Sequence, residues 1–164
     1  MKLSDVSPSV RELIMRYLAN VLIGLQNDDG SDIPVYRTRL DKLPQDELPA
    51  FNVTIETDKE VDLSTDSIEH ELLINLDCIS ASDEETEDDK TPPRSIDEVA
   101  DPLTVWAEQR AMLDETMGGH GARCDWTESH WTNIPQDLDI TGVRLRFKVM
   151  YFTERGDPTN PSQN

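Results

Sequence analysis

Few residues of this 164-residue chain have the types and spacing that metal chemistry requires. Three histidines and two cysteines are the possible zinc ligands, but no pair has the close spacing of Cys-x-x-Cys. His70 and Cys78 lie on one predicted strand, about 26 Å apart at ~3.3 Å per residue, and Cys124 and His130 are about 20 Å apart by the same spacing. We therefore expect no metal site and no cofactor.

The glycine-rich run Gly118–Gly121 does not have the position of a phosphate-binding loop. It follows a predicted helix, whereas anion-binding loops precede a helix N-terminus. A run of this kind after a helix is typical of a C-terminal cap and turn. A Gly-x-Ser-x-Gly nucleophile motif is also missing from the sequence. The sequence thus predicts no catalytic residues, and we expect the protein not to be an enzyme.

A dense acidic run lies near the middle of the chain. Six carboxylates occur within seven residues, at Asp83, Glu84, Glu85, Glu87, Asp88 and Asp89, and Pro92 and Pro93 follow. Carboxylates bind Ca²⁺, but the ordered Asp, Asn and Gly positions of a twelve-residue calcium loop are missing. Because like charges repel one another and bury nothing, we predict a flexible loop at about 80–94.

A basic stripe marks the last predicted strand. Arg144, Arg146 and Lys148 alternate with apolar residues, so they share one face of that strand. In one interpretation they form cross-strand ion pairs with the acidic face of the strand that carries Glu69, Glu71 and Asp77. In the other, they meet the acidic surface of an identical neighbour. The sequence leaves both open.

Overall charge and length restrict the class of protein. Asp and Glu number 34 against 15 Lys and Arg, which gives a net charge of −19. Such a surface disfavours nucleic-acid or anionic-membrane binding. The length suits one domain.

We expect no signal peptide and no membrane span, because no apolar run reaches ~20 residues, and we expect reduced, partly buried cysteines in a cytosolic setting.

Hydrophobic periodicity predicts two helices and four main strands. The helices are predicted over Ser9–Gln26, with Ser9 and Glu12 as a capping box, and over Ile96–Met117, in one piece or in two because Asp101 and Pro102 resemble a helix start. The strands are predicted around Phe51–Glu56, Ser67–Ile79, Arg123–Trp131 and Thr141–Thr153. We expect an α+β fold whose mostly antiparallel sheet has one face covered by two helices, forming a single domain over 1–158, with a disordered tail at 159–164.

Three short segments carry a resemblance to a known family. They are Val-Tyr-Arg-Thr-Arg at 35–39, Leu-Pro-Ala-Phe-Asn-Val at 48–53, and Val-Met-Tyr-Phe-Thr at 149–153 ahead of Asp157 and Pro158. Together with the order of the elements, they make the chain resemble the tail terminator proteins of long-tailed bacteriophages. The resemblance covers roughly Val10 to Pro158.

The resemblance implies a structural role without catalysis. Members of that family have a leading helix, an Arg-containing extended segment, a Leu-Pro bend into a long strand, a hairpin, a second helix and a final strand pair. The implied subunit forms a homohexameric ring that caps the tail tube, stops its polymerisation and contacts the head connector protein. It would lie at the head-proximal end of the tail in the virion, and in the host cytoplasm before assembly.

The resemblance also suggests where contacts lie. The candidate subunit or tube interface comprises Arg37, Arg39, Arg144, Arg146 and Lys148. The carboxylates at 83–89 are candidates for a lumen or partner surface, since DNA would pass through the ring without specific binding and an acidic lumen repels phosphate. Two alternatives remain: another head-tail joining or tail completion protein, and a monomeric acidic adaptor that binds a basic partner through residues 83–89.

Overall fold

The computed structural model describes residues 7–39, 41, 43–81, 96–121, 123–133 and 140–161. Within these ranges, two helices pack on a five-stranded sheet, which confirms the predicted α+β fold. The helices are α1 (Val10–Leu22) and α2 (Ile96–Ala111). The strands are β1 (Val35–Arg37), β2 (Ala50–Leu63), β3 (Ser67–Ala81), β4 (Arg123–Asn133) and β5 (Ile140–Glu154).

The sheet has the strand order β1-β2-β3-β5-β4. The short strand β1 runs parallel to β2, and every other neighbouring pair is antiparallel. Leu76 in β3 lies opposite Val53 of β2 on one side and Leu145 of β5 on the other. Because opposite residues point to the same side of a sheet, this register brings the apolar faces of three strands together.

Both helices cover that apolar face and form the main core with it. Leu72, Ile74, Leu76 and Cys78 of β3 are fully buried, as the alternation in the sequence predicts. The core is completed by residues of α1, α2, β2 and β5, which include Ile14, Met15, Leu18, Phe51, Leu145 and Phe147. We call the other side of the sheet the open face.

Helix α1 begins as predicted and ends early. The Ser9 hydroxyl accepts a hydrogen bond from the Glu12 backbone N–H at 3.2 Å, which caps the first turn. The helix ends at Leu22, short of the predicted Gln26, because Ile23 is extended and Gly24 has a φ of +106°. Leu25 still packs on the core, but from an extended segment whose carbonyl accepts from the Ile33 N–H. Its helical spacing in the sequence was therefore misleading.

Helix α2 is continuous through Pro102 and ends at Ala111, so both the two-piece option and the predicted end at Met117 are wrong. The Asp114 carboxylate accepts hydrogen bonds from the backbone N–H groups of Thr116 and Gly118, both at 2.9 Å. Because these backbone N–H groups donate to the Asp114 side chain, they do not form the backbone hydrogen bonds of a continuing helix. Met117 is left-handed, with a φ of +51°, and its buried side chain reaches the core from this turn.

Part of the open face is covered by the segment that precedes β2. Leu43 packs there with Ala50 and Ile79, and Tyr36, Leu48 and Ala81 complete this small cluster. The remainder of the open face is polar. Beyond β5 the chain turns, and the Asn160 carbonyl accepts from the Glu154 N–H at 3.0 Å; residues 162–164 of the predicted tail lie outside the described residues.

Candidate functional site

The basic stripe lies on the open face, where β5 sits between β3 and β4. Arg144 is the direct register partner of Asp77. Its Nε and Nη2 atoms donate to the two carboxylate oxygens of Asp77 at 2.7 and 3.0 Å. This bidentate pair holds β3 and β5 in register, and the hydrogen bond with Asp77 raises the pKa of Arg144.

Arg146 lies at the centre of a wider polar network. Its Nε is 2.8 Å from the Glu56 carboxylate of β2, and its Nη1 donates to Glu128 of β4. The same guanidinium is 3.4 Å from the side-chain oxygen of Asn75 in β3. One side chain of β5 thus contacts its two neighbours β3 and β4 and also β2, the strand beyond β3, which makes it a structural tie across the sheet.

Lys148 is held more loosely than the two arginines. Its Nζ is 4.0 Å from the Glu71 carboxylate, which is the outer limit of an ion pair. Glu69, the third predicted acidic partner, lies opposite Phe152 and forms no ion pair within the described residues. The structure therefore contains the cross-strand pairs of the first interpretation at Asp77 and, weakly, at Glu71. Contact of the stripe with a neighbouring subunit stays a prediction.

Arg37 and Arg39 are separated from the stripe and from each other. Arg37 faces the helices, where its Nη2 donates to the Glu12 carboxylate at 2.6 Å and lowers the pKa of Glu12. Arg39 lies above Tyr36, with its guanidinium carbon 4.6 Å from the ring centroid, and it forms an ion pair with Glu47. The five predicted interface cations thus occupy three separate places, and each has a partner in its own chain.

The candidate lumen residues at 83–89 lie outside the described residues. Strand β3 extends to Ala81, so the first positions of the predicted loop belong to a strand. The predicted role of the six carboxylates stays a prediction.

A polar cluster that sequence reasoning missed lies on the helix face, in the half of the β2–β3 hairpin nearer its turn. Tyr151 donates from its hydroxyl to the Asp58 carboxylate, 3.0 and 3.1 Å from its two oxygens. Arg11 of α1 donates to the same carboxylate at 3.2 Å, and His70 Nδ1 is 3.7 Å from it. His70 Nε2 is 3.0 Å from the hydroxyl of Thr153.

We name this group the Asp58 cluster; it comprises Arg11, Asp58, His70, Tyr151 and Thr153. Its Thr153 hydroxyl contacts the His70 imidazole, which in turn lies next to the Asp58 carboxylate. The cluster lacks the access that nucleophilic catalysis requires, because Thr153 is only 3% exposed and Asp58 is already bound by Tyr151 and Arg11. Burial is the main cause of the raised pKa of Tyr151. The Tyr151 hydroxyl therefore keeps its proton and donates it in a hydrogen bond. The cluster ties α1 to three strands.

The two cysteines are more deeply buried than the partial burial predicted for them. Cys78 and Cys124 are free and buried, and burial raises the pKa of each thiol to about 12. Thiols of that kind are poor nucleophiles and poor metal ligands at neutral pH. Within the described ranges, no group of three His, Cys, Asp or Glu side chains is arranged to hold a metal ion.

Two strand edges are open in the described part of the chain. Strand β1 and Thr38 pair with β2 only as far as Val53, so the outer edge of residues 54–63 has no described strand beside it. At the opposite edge of the sheet, β5 is the only described strand that pairs with β4. Trp126 in β4 is 48% exposed. Open edges present unpaired backbone donors and acceptors, and they are the usual place for strand-to-strand association.

No family model matches the chain, and no curated protein matches it. Among the described residues, neither helix is long and apolar enough to cross a membrane.

Proposed function

We propose that this chain is a structural virion subunit that forms a ring on the end of a bacteriophage tail tube. The ring ends polymerisation of the tube and provides the surface that the head connector protein contacts. The protein is not an enzyme. Its partners are copies of itself, the tail tube protein and the connector, and DNA passes through the ring without specific binding.

The order of the elements is the observation that carries this proposal. The resemblance implies a leading helix, an Arg-containing extended segment and a Leu-Pro bend into a long strand, and these correspond to α1, to β1 with Arg37, and to Leu48–Pro49 before β2. It then implies a hairpin, a helix across the sheet and a final strand pair. The structure has β2–β3, α2 and β4–β5 in those places.

The chemistry of the described side chains also favours assembly over catalysis. The Asp58 cluster contains the side chains of Arg11, Asp58, His70 and Tyr151, and the Thr153 hydroxyl beside them is buried. Arg144 and Arg146 of the open face are engaged in ion pairs that join strands. Such a subunit offers a rigid sheet with open edges, which suits a contact repeated around a ring.

The charge of the chain supports the proposed passage of DNA. At a net charge of −19 per subunit, a ring has a strongly negative potential that repels phosphate. Repulsion also opposes association of the subunits themselves, and salt screens it within about 10 Å at 0.1 M. Ring formation is therefore expected to increase between low and moderate salt.

The test is the mass of the purified chain by light scattering at low and moderate salt, with and without tail tubes. The monomer has a mass of 18.6 kDa, so a hexamer would weigh about 112 kDa. A hexamer in solution, or a monomer that electron microscopy finds as rings on tube ends, supports the proposal. A chain that remains monomeric in all conditions and ignores tubes overturns it and favours the acidic adaptor. Rings that bind only the connector would indicate another joining protein.

A further inference from the structure

The two open strand edges of the sheet have complementary charge patterns on the same face. On β2, Lys59 and Asp62 point to the open face, because their register partners are Glu71 and Glu69 of β3. On β4, Arg123 and Asp125 point to the open face opposite Met150 and Lys148 of β5. In these two stretches each edge therefore presents one cation and one anion, while Glu56 of β2 and Glu128 of β4, farther along the same face, are bound to Arg146.

These charges are available for a new contact. Lys59 is exposed and forms no ion pair within the described residues. Asp62 is exposed, and among the described residues its carboxylate accepts a hydrogen bond only from the adjacent Leu63 N–H. Arg123 and Asp125 pair with each other at 2.8 Å, but the arginine side chain is 70% exposed, so that pair is weak and easily exchanged.

From these two edges we infer that the β4 edge of one subunit pairs antiparallel with the β2 edge of a second copy. Strands β2 and β4 run in opposite directions within one sheet, since β3 and β5 between them alternate. Adding a second copy edge to edge thus continues the antiparallel pattern. The contact joins two different surfaces, so repeating it generates a closed ring or a filament. The inference rests on the proposed ring and names its subunit contact.

The charges select one register. Arg123 lies opposite the second copy's Asp62, and Asp125 lies opposite its Lys59. The spacing agrees because the β2 irregularity between Glu60 and Asp62 adds one residue there. If β4 slips by two positions in one direction along the second copy's β2, Arg123 lies opposite Lys59, and two cations meet. If it slips by two positions in the other direction, Asp125 lies opposite Asp62, and two anions meet. A slip of one position exchanges the two faces of the strand.

The contact is short, because a side chain of β4 limits it at one end. The indole N–H of Trp126 donates to the Glu128 carbonyl at 3.1 Å, so that acceptor of β4 is already occupied. The predicted ladder covers Arg123–Trp126 and residues 58–62 of the second copy. Trp126 then lies opposite Asp58, on the helix face, with the 37% exposed Ile55 nearby along β2. Burial of this indole adds an apolar contact to the two ion pairs.

A charge exchange tests the contact. Lys59→Glu and Asp125→Lys each place like charges opposite each other and are expected to weaken association about tenfold or more, whereas the double variant restores it because the pair is only reversed. Arg155→Glu and Asp101→Lys make the same changes in net charge at exposed positions outside both edges. These controls are expected to associate like the unchanged chain.

Cysteine pairing gives an independent readout that captures even transient contacts. Directly opposite residues have Cβ atoms about 4.5–5.5 Å apart, close to disulfide geometry. A mixture of Asp62→Cys and Arg123→Cys chains is expected to form a cross-linked heterodimer under mild oxidation, while each variant alone does not. A mixture of Asp62→Cys with Asp101→Cys is the control. The native thiols stay out of the reaction, because burial raises the pKa of both.

The outcomes separate this contact from the proposed function. Cross-linking of the mixture together with rescue by the double charge variant supports the contact. Rings that form without this cross-link, or that ignore the charge exchange, overturn the contact and leave the ring proposal standing. A chain that neither cross-links nor forms rings, with or without tubes, overturns both.

Discussion

The imidazole of His70 stacks on the ring of Tyr151, with centroids 4.5 Å apart and planes only 7° from parallel. The two residues are direct partners on adjacent strands β3 and β5. Both rings also approach the carboxylate of Asp58 on β2. The stack therefore fixes the relative positions of three strands in the half of the β2–β3 hairpin nearer its turn, and α1 joins it through Arg11.

Removal of the Tyr151 hydroxyl is expected to destabilise the protein. Tyr151→Phe leaves the stack in place but deprives the Asp58 carboxylate of a donor, which costs about 1.5–3 kcal/mol for a hydrogen bond to a charged group. Urea denaturation measures the change in the free energy of unfolding. Tyr17→Phe is the matched control, since the Tyr17 hydroxyl has no hydrogen-bond partner in the described residues, and we expect a change within about 0.5 kcal/mol. Equal effects of the two substitutions would contradict the structural role of the Asp58 cluster.

The Arg144–Asp77 pair is expected to contribute to stability more than the neighbouring Lys148–Glu71 pair. Arg144→Met keeps much of the apolar stem but leaves the Asp77 side chain, 13% exposed, without its bidentate partner. We expect a loss of about 1–2 kcal/mol, reduced by the partial exposure of the arginine. Lys148→Met is the control, with an expected change within about 0.5 kcal/mol because its 4.0 Å contact is loose. A double-mutant cycle with Asp77→Asn isolates the pair, and a coupling energy near zero would refute it.

Glu12 is expected to make part of the stability depend on pH. The hydrogen bond from Arg37 holds the pKa of Glu12 below its ordinary value of 4.5. A lowered carboxyl pKa stabilises the fold fully above the unfolded value, and this contribution is lost as the pH falls through the folded value. The difference in unfolding free energy between the unchanged chain and Glu12→Gln should be about 0.5–1 kcal/mol at pH 7 and shrink below pH 4.5.

The pH series needs a control because protonation also relieves the repulsion among the many carboxylates of the chain. Glu115→Gln removes an exposed carboxylate that forms no ion pair within the described residues. Its difference from the unchanged chain should vary little with pH. A Glu12→Gln difference that stays constant from pH 7 to pH 3 would show that Arg37 does not hold the Glu12 carboxylate.

Two neighbouring glycines distinguish backbone strain from a steric clash. Gly118 and Gly119 both have a positive φ, of +74° and +81°. A Cβ at Gly118 would lie 2.8 Å from the Tyr17 ring, whereas one at Gly119 would meet nothing within 4 Å. We expect Gly119→Ala to cost about 1–2 kcal/mol from strain alone, and Gly118→Ala to cost about 1–3 kcal/mol more from the clash. Thermal or urea unfolding that ranks the two equally would contradict this packing of Tyr17.

The local pattern of the sequence was enough to predict the faces of the main strands and the fold class. Alternation placed Leu72, Ile74 and Leu76 on the buried face, and Arg144 and Arg146 on the other. Ser9 was identified as a helix cap from its position before an apolar repeat. These features depend on backbone geometry within a few residues, so a single segment contains the information.

The ends of the helices were predicted less well because they depend on competition between local and distant contacts. The apolar spacing continues past Leu22 to Leu25, yet the left-handed Gly24 ends the helix and Leu25 reaches the core from an extended segment. In the same way, Met117 is buried as expected but from a turn that Asp114 stabilises. In both cases periodicity identified a residue that contacts the core, and it did not report the backbone that carries it.

The chain by itself thus determined the alternating faces, the first helix cap and the acidic charge, since each follows from neighbouring residues or from composition. Only the tertiary structure decided which residues meet across strands. Asp58 reaches the helix face because an irregularity between Ile55 and Thr57 shifts the alternation of β2, and strand register then brings it to His70 and Tyr151. Register arises from pairing between segments far apart in sequence, so no local pattern contains it.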